Sequence, residues 1–189
     1  MRQMTVDEFN SELARLKANM VKAGLEPLFQ TLDANILARG VCGLTNDTGC
    51  AYPGSLMVHI NYTIALAERI AKMISATFPV SDEQICKCCV LQHIAKLYMF
   101  TANTNQWEIE NRGIINKFNK LSARLKCGAR GILEAARVGI MISDEEAEAI
   151  LSMDNTEDSG KMYDNILTTI IRQANELAYA IEKEKYGNK

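Results

Sequence analysis

The sequence predicts an all-α protein, a single helical bundle of about seven helices. Helix-start signatures recur along the chain, and its apolar residues step by three and four rather than by two. Thr5 followed by Glu8, Ser81 by Gln84 and Ser143 by Glu146 share the S/T-x-x-E/Q spacing. In that spacing an N-cap and the third helical residue satisfy each other's backbone donors. With 189 residues, 48% hydrophobic and 23% charged, the chain can bury one good core. No internal repeat, low-complexity tract or linker divides residues 1–189, so one domain is expected.

Val6, Phe9, Leu13, Leu16 and Met20 form one apolar stripe on a first helix that Gly24 can end. Pro27 suits the first turn of a second, running to about Arg39 before Gly40; residues 1–40 thus read as an N-terminal helical pair. Residues 40–54, GVCGLTNDTGCAYPG, are a turn-rich loop, and loops leading into buried helices often line sites. A long third helix runs from Ser55 to about Thr77, burying Leu56, Ile60, Ile64, Ala67, Ile70 and Ile74. The fourth, Asp82 to about Phe100, carries Ile85, Cys89, His93 and Lys96 along one side. Alternation at Trp107, Glu108, Ile109 and Glu110 suits a short hairpin near 103–112. Later helices are expected over about Gly128–Val138, Asp144–Ser152 and Lys161–Lys185, completing a core over 55–185.

Charge and cysteine content narrow the function classes. A net charge of -2 does not draw the molecule as a whole to nucleic acid. The N-terminus lacks an apolar signal-peptide region, and no stretch approaches the roughly 18 apolar residues of a membrane span. A cytoplasmic chain is the expectation, with its six cysteines mostly reduced. Cys86, Cys88 and Cys89 share one helical turn but lack a matching second ligand pair, so they read as small buried hydrophobes.

Charge is nonetheless polarised along the chain. Arg112, Lys117, Lys120, Arg124, Lys126, Arg130 and Arg137 stand against a single acid, Glu134, whereas residues 144–158 hold only acids among their charged residues. Lys117, Lys120, Arg124, Lys126 and Arg130 are candidate anion-binding residues, for a phosphate, a nucleotide or single-stranded nucleic acid stacked on Trp107. The plainer reading is a solvated helix face paired with the acidic segment.

The only two histidines, His59 and His93, each lie in an apolar helical stretch. A histidine so placed is ordinarily a hydrogen-bonded core residue. The surrounding residues add a second reading. Ala51-Tyr52-Pro53-Gly54-Ser55-Leu56-Met57-Val58-His59 resembles the "AYPGGLLEH" entry of the HD-domain superfamily of metal-dependent phosphohydrolases. Val90-Leu91-Gln92-His93-Ile94-Ala95-Lys96-Leu97 is similar to its "LLHDIGKL", where an adjacent His and Asp bind metal. The gapless register puts Gln92 at the family's His, His93 at its Asp and Lys96 at its Lys; deleting a residue instead would rotate the rest of the helix by about 100°. Residues 143–150 resemble "LTDEEALAI", which normally runs on into Trp-His; here the chain continues to Met153. Cys127 replaces a His of "GHGEKS", and Asn175 replaces the last metal-binding Asp in "HxADELA".

The resemblance therefore implies an HD-domain-like helical fold with a degenerate site made of His59, Gln92, His93, Lys96, Cys127, Met153 and Asn175. Only His59 is an unchanged ligand. A magnesium or manganese ion favours oxygen donors, and losing the aspartates removes them. No cofactor is expected, and no residue is assigned a catalytic role. The expected function is a ligand- or partner-binding scaffold without metal-dependent hydrolysis. Two alternatives stand beside it. One is an active phosphohydrolase holding Mn, Mg, Fe or Zn, with His59, His93 and a carboxylate such as Asp154 or Asp158, or with His59, His93 and Cys127 as a zinc set. The other is a nucleic-acid accessory protein using residues 112–137.

Overall fold

Thr5, Ser81 and Ser143 each accept a hydrogen bond from the backbone N–H three residues on, and Glu8, Gln84 and Glu146 accept one back from the cap residue's own N–H. The three capping boxes thus start helices α1 (Val6–Lys22), α5 (Asp82–His93) and α9 (Asp144–Leu151). The computed structural model describes residues 2–119, 125–152, 154 and 164–187. Among them the protein is all-α apart from one two-stranded sheet.

Two of the expected helices are each broken in two. The second becomes α2 (Glu26–Gln30) and α3 (Ala34–Arg39), because Asp33 accepts a bond from the Asn35 N–H and caps a new start. The fourth ends at His93; a tighter turn comes next, with Leu97 N–H donating to the Ile94 carbonyl, before α6 (Lys96–Met99). The chain then extends as β1 (Phe100–Ala102).

The hairpin expected near 103–112 is corrected. Its strands are β1 and β2 (Asn116–Phe118), antiparallel with Phe100 opposite Phe118, and between them lies α7 (Gln106–Arg112). Asn105 caps α7 by accepting from the Glu108 N–H. The remaining helices are α4 (Ser55–Ile74), α8 (Cys127–Arg137) and α10 (Ile166–Tyr186). With the two breaks and α7, about seven helices become ten α-helices among the described residues, besides a single 3-10 turn at Asn46–Thr48.

The bundle is organised on α4 and α5. Helix α4 packs against α1, α5 and α10, and α5 also touches α1, α8 and α9. Being surrounded, α5 is buried almost all round, at Ile85, Cys86 and every residue from Cys88 to His93. Cys86, Cys88 and Cys89 lie in the hydrophobic core, and all six cysteines are free. Burial pushes the Cys86 thiol up to about 12, so it behaves as an inert apolar group.

Polar pairs pin the helices in register where apolar packing is least directional. Asn61 on α4 accepts from Asn19 and donates to the Glu12 carboxylate on α1 at 2.7 Å. Lys87 on α5 meets Glu146 on α9 at 2.9 Å with both side chains largely buried.

Asp154, a carboxylate considered for a metal, instead caps α8. Its two oxygens accept from the N–H groups of Gly128 (3.1 Å) and Ala129 (2.9 Å). Asp154→Ala is expected to destabilise the fold by about 1 kcal/mol, read as a lower urea midpoint with unchanged slope.

Candidate functional site

Helices α4, α5, α6 and α10 and the loop before α4 converge on one buried polar centre. His59 faces inward from α4 and is fully buried. Helix α10 presents Asn175, Tyr179 and Glu182, spaced four and three residues apart and therefore on one side of the helix. Glu182 Oε2 lies 2.7 Å from His59 Nδ1, and Asn175 Oδ1 lies 3.0 Å from His59 Nε2. With oxygen at both ring nitrogens, His59 is held as an imidazolium. Burial opposes that charge, but the neighbouring Cys42 and Glu182 outweigh it and raise the pKa to about 9.

The second half of the centre is a thiol–amine–phenol cluster. Lys96 begins α6, buried, and its Nζ donates to Cys42 Sγ at 3.3 Å and to Tyr179 Oη at 2.5 Å. Tyr179 Oη also lies 3.2 Å from Cys42 Sγ. Burial works against a Cys42 thiolate; bonding from Cys50 and the positive charges of His59 and Lys96 more than reverse it, taking the pKa well below that of an ordinary thiol. Lys96 stays charged: desolvation lowers its pKa, and the Cys42 sulfur restores and exceeds it.

Cys42 is delivered by the loop. Its N–H donates to the Cys50 carbonyl (3.0 Å) and to Ser55 Oγ (3.2 Å), while the Ser55 hydroxyl donates to the same carbonyl (2.6 Å). The first residue of α4 thus ties both arms of the loop together. Farther along, Gly49 sits at φ +73 against the Glu182 backbone, so close that a Cβ would overlap the Glu182 carbonyl. A left-handed conformation without a side chain is what glycine supplies.

His93 completes the cluster in a different way. Its ring meets that of His59 edge to face, with centroids 4.7 Å apart. It is fully buried, yet among the described residues neither ring nitrogen has a hydrogen-bond partner, and the Gln92 amide beside it has none either. Burial, then the charges of Lys96 and His59, keep His93 neutral, its pKa well below that of an ordinary imidazole.

The structure thus brings His59, His93, Lys96 and Asn175 together, with Gln92 buried beside them on the last turn of α5. Cys127 is not in the cluster: its Sγ faces the His93 carbonyl at 3.9 Å, and Cys42 takes the third place beside the two imidazoles. Met153 and Asp158 lie outside the described residues, as do Lys120 and Arg124. Among the other basic candidates, Lys117 pairs with Glu108 at 2.7 Å, Lys126 donates to the Asp154 carbonyl, and Arg130 lies near Glu134 and the Tyr98 ring. Trp107 is exposed.

A hard divalent ion does not fit this donor set. Magnesium and manganese need several oxygen ligands. Glu182 is already engaged by His59 Nδ1, the Asn175 amide carries no charge, and the nearby Lys96 ammonium adds a positive one. Cys42, Tyr179 and Glu182 were not among the sequence candidates. The signal for Cys42 was its place in the loop before α4; for the other two it was the polar stripe with Asn175 on an otherwise apolar helix face.

The molecule is therefore defined as an all-α bundle around a shut centre of two imidazoles, a thiol, an ammonium, a phenol and a carboxylate. No family model, curated protein or solved structure matches the chain. Among the described residues no helix is long and apolar enough to cross a membrane.

Proposed function

We propose that the protein is a catalytically degenerate HD-domain-like scaffold that binds a ligand or a partner and does not hydrolyse phosphate esters through a metal. The observation that carries this reading is the commitment of His59, the one unchanged ligand of the resemblance. Its two nitrogens are taken by Glu182 and Asn175 inside a charge-compensated, fully buried network. Among the described residues, His59 and His93 have no exposed surface for a phosphorylated substrate to reach.

A ligand has a place to sit just outside that network. A cleft of about 400 Å³ is lined by residues including Arg2, Arg15, Tyr62, Lys185 and Tyr186, with Glu182 in its wall. Asp7, Glu8 and Glu12 line it as well, Arg2 is engaged by Tyr52 and Glu8, and Lys185 donates to Tyr62, so the cleft is of mixed charge and suits a polar ligand or a partner's side chain.

The test measures phosphate release from nucleotides and phosphorylated metabolites with added Mg²⁺ or Mn²⁺. No release above buffer is expected. Metal-dependent release that disappears in His59→Ala would overturn the proposal in favour of an active phosphohydrolase.

A further inference from the structure

We propose that Cys42, His59 and His93 form a binding site for a thiophilic divalent cation, zinc by the chemistry of its donors, held as a closed structural centre. This goes beyond the non-hydrolytic reading and does not depend on it. One sulfur and two imidazole nitrogens from these residues lie within 4.8 Å of one another, all on buried side chains. In tetrahedral zinc, with Zn–S near 2.3 Å and Zn–N near 2.0–2.1 Å, ligand atoms stand roughly 3.3–3.8 Å apart. The group needs to close by about an ångström to reach that spacing.

Independent features point to an ion rather than to three neighbouring core residues. His93 is a fully buried imidazole with both nitrogens unpartnered, which is costly for a polar group unless something binds it. The surroundings are also those of a supported metal site. Glu182 takes His59 Nδ1, the carboxylate–histidine arrangement that orients a metal-binding imidazole, and Nε2, now 3.0 Å from Asn175 Oδ1, would give up its proton to bind the ion. Lys96 and Tyr179 both reach the Cys42 sulfur, as donors to a metal thiolate do. The Asn175 carbonyl oxygen, next to Nε2, is placed as a fourth donor.

The donor set selects the ion. One sulfur and two imidazoles suit zinc and disfavour magnesium, which asks for oxygens. His59, His93 and Asn175 stand at ligand positions implied by the sequence resemblance, whereas the sulfur of Cys42 and the supporting Glu182 do not, and it is the sulfur that turns the set toward zinc. With its ligands buried and a fourth donor from the protein, it presents no open position for a reacting water, as expected of a structural centre.

The full chain, purified without chelator, is analysed for bound metal and by zinc-edge X-ray absorption. About one equivalent of zinc is expected, with one sulfur and three nitrogen or oxygen neighbours. Cys42→Ser and His93→Ala should abolish retention against a competing chelator, and Glu182→Gln should weaken binding about 10–100-fold. Cys127→Ser should leave binding unchanged. The absorption measurement uses wild-type protein, so a misfolded variant does not blunt the test. Zinc not retained by wild-type protein, zinc with no sulfur neighbour, or zinc with three sulfurs as from Cys86, Cys88 and Cys89 would each overturn the site. Phosphate release by zinc-loaded protein would leave the site standing and overturn the non-hydrolytic reading. Absence of both zinc and hydrolysis would do the reverse.

Discussion

Replacing Glu182 by alanine is expected to remove about 3–5 kcal/mol of stability, the range for deleting one partner of a buried ion pair. In the metal-free protein the loss leaves His59 with a buried positive charge 2.7 Å from where its carboxylate stood, on a side chain with no exposed surface. A typical domain has only about 5–15 kcal/mol to lose. Glu182→Gln keeps an oxygen toward Nδ1 and should cost clearly less. Urea titrations followed by circular dichroism measure both. Equal, small losses in the two variants would mean that His59 is neutral and that Glu182 acts only as a space-filling polar residue.

Gly131→Ala is expected to cost roughly 3 kcal/mol, at the upper end of overpacking penalties. The clash is with backbone: a Cβ on Gly131 would overlap the Leu91 carbonyl, so no side-chain rotation relieves it. Helices α8 and α5 touch main chain to main chain there. Because Leu91 immediately precedes Gln92 and His93, the displacement should reach the polar centre. Gly131→Ala should therefore lower both the melting temperature and zinc retention, whereas Ala129→Gly, on the same helix, should affect mainly stability.

The parts of the fold that were legible in the sequence are those fixed by neighbours in sequence. Thr5, Ser81 and Ser143 announce their helices because each cap closes with a residue three positions away. The break at 31–33 was missed although Asp33 is a capping residue, because Pro27 and the apolar run to Arg39 read as continuous. The helix at 106–112 was missed for a similar reason. Asn105 and Glu108 have capping spacing, but alternation at Trp107–Glu110 points to a strand; the Asn105 cap and the bonds of Asn103 and Lys117 to Glu108 hold a helix instead.

The centre was half legible. His59, His93, Lys96 and Asn175 stood out by type and by resemblance. Glu182 did not, since its partner is 123 positions away and a glutamate near the end of a charged helix looks like an ordinary surface residue. The resemblance singles out Cys127 and not Cys42, because sequence alone gives no distance between a loop sulfur and a helix imidazole. The ties of Ser55 to Cys50 and Cys42, and of Asn116 to the Gly43 and Ala51 carbonyls, show where that loop is anchored.

The same long separations set an order of assembly. While the chain is being synthesised, α4 and α5 exist with His59, His93 and Lys96 long before the residues of α10 that answer them. His59 waits for Glu182 across 123 positions, and Lys96 waits for Tyr179 across 83. Until α10 docks, these polar groups are better served by water than by a core, so the α4–α5 face stays hydrated and only loosely collapsed. Closing so long a loop is slow relative to local helix formation. Docking of α10 is thus expected to dry the centre, and a chain truncated before residue 175 should show more exchangeable amides on α4 and α5 than the full chain in a hydrogen-exchange experiment.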